Sequence, residues 1–190
     1  MEDFKSICVT EGIKKVDVIK NPTSFPLIGK GAQGAVFKIS SDKCVKICAK
    51  PEFAAKEGNV LKIAQESPTI PRLYEVGYNY IIMEYLEGPT LFQYLESGGI
   101  LSEKLMRQIL FVLKEMKRLK FTRLDADLRH IIVTKEEELK VIDHYSSFTR
   151  IRNKPELIFK GLKKLGLLPM FLEELREMDP ESYIEWKIYK

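Results

Sequence analysis

The chain has 190 residues, of which 45% are hydrophobic, 31 basic and 27 acidic, giving a formal charge of +4 and a pI of about 8.8. That is enough apolar material for a core of its own, in one or two small lobes, and it excludes a disordered chain. The charge is dense but mixed: it permits an anionic ligand, lacks the basic stripe that would argue nucleic acid by itself, and no apolar run is long enough to span a bilayer.

Residues 1 to 20 alternate loosely through Ile7-Cys8-Val9 and Val16-Asp17-Val18-Ile19, as a helix or strand leaning on the first sheet would. Next comes Ile28-Gly29-Lys30-Gly31-Ala32-Gln33-Gly34, with three glycines in G-x-G-x-x-G spacing. Opening a helix, this pattern would suggest a dinucleotide site. Here it runs into Ala35-Val36-Phe37-Lys38-Ile39, which alternates and is rich in strand formers, so the reading is strand, glycine turn, strand, folded over phosphates. Glycine suits such a turn because side chains would keep backbone N–H groups from a triphosphate and because tight turns often need positive φ. After a turn at Ser40-Ser41-Asp42, Lys46 sits in the apolar run Cys44-Val45-Lys46-Ile47-Cys48.

Pro51 opens a helix to about Gln65, which the two prolines of Ser67-Pro68-Thr69-Ile70-Pro71 end. Strands over 73–76 and 80–84 are joined by Gly77-Tyr78-Asn79, and a short helix over 90–96 stops at Ser97-Gly98-Gly99. Ser102 caps the longest helix, 103 to about 120, whose broad apolar stripe implies burial on more than one side. Two short strands, 131–133 and 139–142, flank the acidic tip Lys135-Glu136-Glu137-Glu138, which reads as solvated. In the tail, Asn153-Lys154-Pro155 and Asp179-Pro180 start helices, Gly166 and Pro169 divide the segment between them, the run from Leu162 to Leu175 is core, and Trp186 packs the last helix.

This order of elements resembles the protein-kinase fold. The resemblance covers about residues 25 to 145, and it implies an α+β, two-lobed architecture with a small antiparallel sheet in the N-lobe (1–87) and a reduced, mainly helical C-lobe (88–190). On that pattern Gly29, Gly31 and Gly34 cover the phosphates of ATP, Ile28 and Val36 lie against adenine, and Lys46 holds the α- and β-phosphates with Glu57 as its helix partner. Cys44 and Cys48 share a strand face with Lys46, so Cys44 touches adenine. Ile81-Ile82-Met83-Glu84-Tyr85-Leu86 is similar to the kinase hinge, with Met83 as gatekeeper and the backbone of Glu84 and Leu86 bonding the base. The segment Arg123-Leu124-Asp125-Ala126-Asp127-Leu128-Arg129-His130-Ile131-Ile132-Val133 lies without gaps on H-R-D-L-x-x-x-N-I-L-V, so Asp125 takes the catalytic position and His130 that of the metal-binding asparagine. Asp143 takes the place of the magnesium-binding aspartate. The cofactors implied are ATP and Mg2+, or Mn2+ in its place.

Alternatives stay open on the residues themselves. A lysine facing inward needs a carboxylate, and a different helix register would supply Glu52 or Glu66 instead of Glu57. A two-residue gap would put Asp127 in the place of Asp125 as catalytic acid. His130 reads first as a core histidine, then as a metal ligand or phosphate contact. His144 reads as a loop residue, and Cys8, Cys44 and Cys48 as small apolar fillers.

The chain departs from large kinases at Arg123 and Leu124, at His130, and at His144 and Tyr145, and fewer than fifty residues follow Asp143. This short C-lobe is similar to the small atypical kinases of the RIO group and to compact archaeal kinases of a tRNA-modification complex. The function implied is transfer of phosphate from Mg-ATP to a serine or threonine of a protein, itself included; that second likeness adds an RNA-linked partner. A nucleotide-binding pseudokinase scaffold and a small-molecule phosphotransferase are the rival readings. Three cysteines without metal spacing and no signal peptide place the chain in a reducing cytoplasm, with no membrane partner.

Overall fold

The alternating segments around the glycine turn form the centre of a five-stranded sheet. The computed structural model describes residues 3–124, 126–148 and 151–186, which gather into two units: Met1–Glu66 with Ile70–Leu86, and Ser67–Thr69 with Glu87–Lys190.

In the first unit, β1 (Cys8–Thr10) and β2 (Asp17–Lys20) pair as a hairpin. β3 (Leu27–Lys30), β4 (Gly34–Lys38), β5 (Lys43–Cys48), α1 (Pro51–Ile63), β6 (Leu73–Val76) and β7 (Tyr80–Glu84) follow, with antiparallel sheet order β3-β4-β5-β7-β6. Successive side chains of a strand point to opposite faces, and here the two faces do different work. Ala35, Phe37, Val45, Ile47 and Tyr80 pack with Ile7 and Val16 into one apolar core. The alternate residues Val36, Cys44, Lys46 and Met83 point to the other face, where the register pairs Val36 with Lys46 and Cys44 with Met83.

Residues 3–20 are thus neither one helix nor one strand but carry a 3-10 turn, Phe4–Ser6, and a hairpin that covers the first face. Val16, fully buried, donates its N–H to the carbonyl of Gly31 at 2.9 Å, which ties the hairpin to the glycine turn. Cys44 and Cys48 are buried, but Cys8 is exposed and fills nothing. Burial pushes the two buried thiols up, Cys44 to about 12 and Cys48 to about 11, so both are protonated at neutral pH.

In the second unit, α2 (Leu91–Glu96) starts with a capping box of Thr90 and Gln93. α3 (Glu103–Arg118) starts where the Ser102 side chain accepts from the N–H of Leu105, and it buries Leu105, Met106, Ile109, Leu110, Val112, Leu113 and Met116. A 3-10 turn, Leu128–His130, leads into the hairpin of β8 (Ile131–Val133) and β9 (Leu139–Val141), whose acidic tip is exposed. The Val141 N–H donates to the carbonyl of Thr69 at 2.8 Å, so the proline-broken segment after α1 anchors this hairpin. α4 (Glu156–Lys164), α5 (Leu168–Met178) and α6 (Pro180–Trp186) complete the unit, with the rings of Phe171 and Trp186 both against Phe159. Among the described residues no helix is long and apolar enough to cross a membrane.

Candidate active site

The first unit carries a buried ion pair. Lys46 Nζ lies 2.5 Å from Glu57 Oε2, and neither side chain is more than 9% exposed. Glu57 is nearly two turns past the start of α1, on the side that buries Ala54, Val60 and Leu61, whereas Glu52 and Glu66 are exposed; the register therefore selects Glu57. A charge pair this deep is costly to desolvate and adds little net stability, so its presence asks for another reason.

The glycine turn beside it is open. A Cβ on Gly29 would meet nothing within 4 Å, and one on Gly31 only the carbonyl oxygen of Gly34 at 3.9 Å. Contrary to the expectation from turn geometry, none of the three glycines has positive φ. Neither packing nor backbone conformation requires glycine at 29 or 31; the Gly31 N–H is spent on the carbonyl of Gly34 at 2.9 Å, and what the missing side chains leave is open space that the oxygens of a phosphate can approach. Gly34 has a different cause: a Cβ there would sit 2.6 Å from the carbonyl oxygen of Ile47 on the paired strand.

On the same sheet face as Lys46 lie Val36, half-buried, and Cys44 with Met83, both buried. Ile28 falls at a register shift between Leu27 and Gly29 and is 44% exposed, an apolar side chain held in the open. The backbone N–H of Glu84 donates to the carbonyl of Arg72, and its own carbonyl accepts the Cys44 thiol at 3.5 Å. Leu86 follows, half-buried, at the end of the unit.

The second unit carries the acids. Asp125 lies outside the described residues. Asp127 caps the 3-10 turn by accepting the Arg129 N–H at 2.9 Å, and it takes both arms of the Arg129 guanidinium at 2.9 and 2.6 Å. Burial pushes this carboxyl up, but the Arg129 hydrogen bonds and charge outweigh it and hold it below its ordinary value of 3.8. Asp127 is thus occupied in shaping the loop, and Arg129, which the sequence reading passed over, is what occupies it; the Asp-x-Arg spacing at a turn start was the available signal. A carboxyl depressed on folding stabilises fully above its unfolded value and ceases to as pH falls through its folded one. Arg129→Gln should therefore lower the melting temperature at neutral pH, and the difference from wild type should vanish as pH is lowered through and below the ordinary value of 3.8.

His130 and Asp143 come together, with Nδ1 3.9 Å from Oδ2 and both side chains more than a third exposed. The first reading of His130 as a core histidine is overturned by that exposure. The Ile142 N–H donates to the carbonyl of His130 at 2.8 Å, which fixes the two residues across the hairpin. Asp143 has φ +64, the left-handed region that an L-residue occupies at a cost of roughly 1–2 kcal/mol. The next residue, His144, is not a loop residue: it is 2% exposed, its Nε2–H donates to the carbonyl of Val141 at 2.8 Å, and its ring lies 5.8 Å from that of Phe121. This buried imidazole anchors the backbone beside the strained aspartate.

Among the described residues no cluster of three or more His, Cys, Asp and Glu could hold a metal alone. An exposed carboxylate with one neighbouring side chain fits Mg2+, which keeps several waters and takes phosphate oxygens as ligands. In such a site Asp143 would hold the ion, with His130 beside it, and the ion would neutralise phosphate charge.

No family model matches the chain. Over 122 residues, 62% of its length, it is 30% identical to a Bacillus subtilis (strain 168) protein named "Putative serine/threonine-protein kinase YrzF", and it spans 57% of that relative's length. The match supports a kinase-like relationship, and the antiparallel five-stranded sheet with its several helices is compatible with a small kinase-like fold.

Proposed function

We propose that this chain is a magnesium-requiring, ATP-dependent serine/threonine protein kinase of the small atypical type, which transfers the γ-phosphoryl group of ATP to a protein hydroxyl, its own included. The observation that carries the reading is the buried Lys46–Glu57 pair on the sheet face beside an open glycine turn. The pair holds an ammonium rigid and charged where a phosphate can reach it, which a structural role would not require. Phosphoryl transfer leaves little covalent work to the protein, so positioning and charge are what these residues supply. Gly29 and Gly31 admit the phosphates, Lys46 draws off their charge, Ile28 and Val36 offer apolar cover to a base, and Met83 with Cys44 backs it. The Glu84 carbonyl, which also takes the Cys44 thiol, and the backbone of Leu86 are offered to its edge. Asp143, with His130 beside it, would hold the Mg2+, which would neutralise phosphate charge; the attacking hydroxyl oxygen bonds to the γ-phosphorus as the bond from that phosphorus to the leaving oxygen of ADP breaks, and Asp125 accepts the hydroxyl proton.

Gly29→Ala and Gly31→Ala should melt within about 0.5 kcal/mol of wild type yet lose much of the thermal stabilisation that ATP gives by mass action. Gly34→Ala should be destabilised without ATP, since its Cβ meets a strand backbone. Transfer of labelled γ-phosphate tests the whole reading: Asp125→Ala should lose on the order of 10²-fold or more in turnover, while Asp127→Asn loses mainly stability. Full turnover in Asp125→Ala with loss in Asp127→Asn would exchange their roles. His130 favours the pseudokinase as second reading, because a histidine is a softer ligand than the usual asparagine; ATP-dependent stabilisation without turnover under Mg2+ or Mn2+ would establish it.

A further inference from the structure

The cations of the second unit fall into two groups. Along α3, lysines and arginines are matched with carboxylates, as in Lys104 with Glu137, Arg107 with Glu103 and Lys117 with Glu185. Arg123, Arg152, Lys160, Lys163 and Lys164 are not: among the described residues no carboxylate lies within ion-pair distance of any of them. From 152 to 164 the only acid is Glu156.

Main-chain hydrogen bonds force part of this charge together. Leu124 N–H donates to Arg152 O and Arg152 N–H to Thr122 O, both at 2.8 Å, which pairs Arg123 with Arg152 as parallel-strand neighbours. Their side chains leave the same face, an arrangement that repels unless an anion lies between. On α4, Lys160, Lys163 and Lys164 share one exposed side at i, i+3 and i+4, again mutually repulsive. The opposite side of α4 is apolar and is held against the 3-10 turn of the catalytic segment: Ile158, Phe159 and Leu162 are buried, and a Cβ on Gly161 would strike Leu128. The lysine face is therefore carried by the same framework as the segment containing Asp125, two positions beyond Arg123.

We infer that this face docks a carboxylate-rich segment of the protein substrate, flanking the hydroxyl to be phosphorylated. A protein is favoured over RNA because, among the described residues, the ring recorded against these cations, Phe92, already lies under Lys164 and is not free to stack on a base. The inference rests on the kinase reading, and the test separates the two. A fluorescein-labelled peptide with a central serine among glutamates, and its glutamine counterpart, are titrated by anisotropy into the full chain at low and high salt, then offered with Mg-ATP. The glutamate peptide should bind in a salt-sensitive way, be phosphorylated faster, and bind on the order of tenfold more weakly to Lys160→Glu/Lys163→Glu/Lys164→Glu and to Arg123→Gln/Arg152→Gln, at least one of which should keep the wild-type melting temperature. Equal binding of the two peptides, wild-type affinity in both variants, or displacement of the glutamate peptide by polyuridylate that binds more tightly would overturn the inference. Salt-sensitive binding without phosphate transfer would uphold the docking face and remove the kinase; transfer without preference for glutamate would do the reverse.

Discussion

Lys46→Met is expected to lose turnover by roughly 10² to 10³-fold and, separately, to unfold more easily. Glu57 is 2% exposed and would be left as an uncompensated charge, a change that costs about 3–5 kcal/mol when one partner of a buried pair is removed. The double variant Lys46→Met/Glu57→Gln should recover much of that stability, because no charge remains to desolvate, and none of the turnover. Denaturant melts beside phosphate transfer check both halves. Recovery of activity in the double variant would mean that the lysine serves the fold and not the phosphates.

Asp143 gives the opposite signature. Both Asp143→Ala and Asp143→Gly delete the carboxylate, so both should lose transfer by at least about 10²-fold. They should differ in stability: the backbone there has φ +64, which glycine adopts freely and alanine does not, so the glycine variant should be more stable than the alanine variant by roughly 1 kcal/mol. Calorimetric melts of the two variants decide it. Equal melting temperatures would show that the backbone relaxes and that no strain is held at this residue.

What the sequence made legible is what local pattern controls. Alternation over 34–38 and 43–48 set both the strands and the faces on which Phe37 and Lys46 lie, and the Ser102 cap with its apolar stripe set α3. The partner of Lys46 was legible as a choice among three glutamates, which only the helix register could narrow. Residues 8–20 were only partly legible, because their loose alternation is spread over strands of three and four residues whose outward positions include the apolar Ile19, 68% exposed, and Cys8. The burial of His144 depends on Phe121, more than twenty positions away, and the strain at Asp143 on a turn whose type no residue advertises. The engagement of Asp127 by Arg129 was within local reach, since both the cap and the ion pair span two positions.

The proposed kinase rests most directly on the claim that Asp143 holds the Mg2+ that accompanies ATP. Calorimetric titration of ATP with and without Mg2+ into wild type, Lys46→Met and Asp143→Ala measures this directly. Mg2+ should tighten ATP binding to wild type and to Lys46→Met, and should no longer do so in Asp143→Ala. An unchanged Mg2+ effect in Asp143→Ala would contradict the claim.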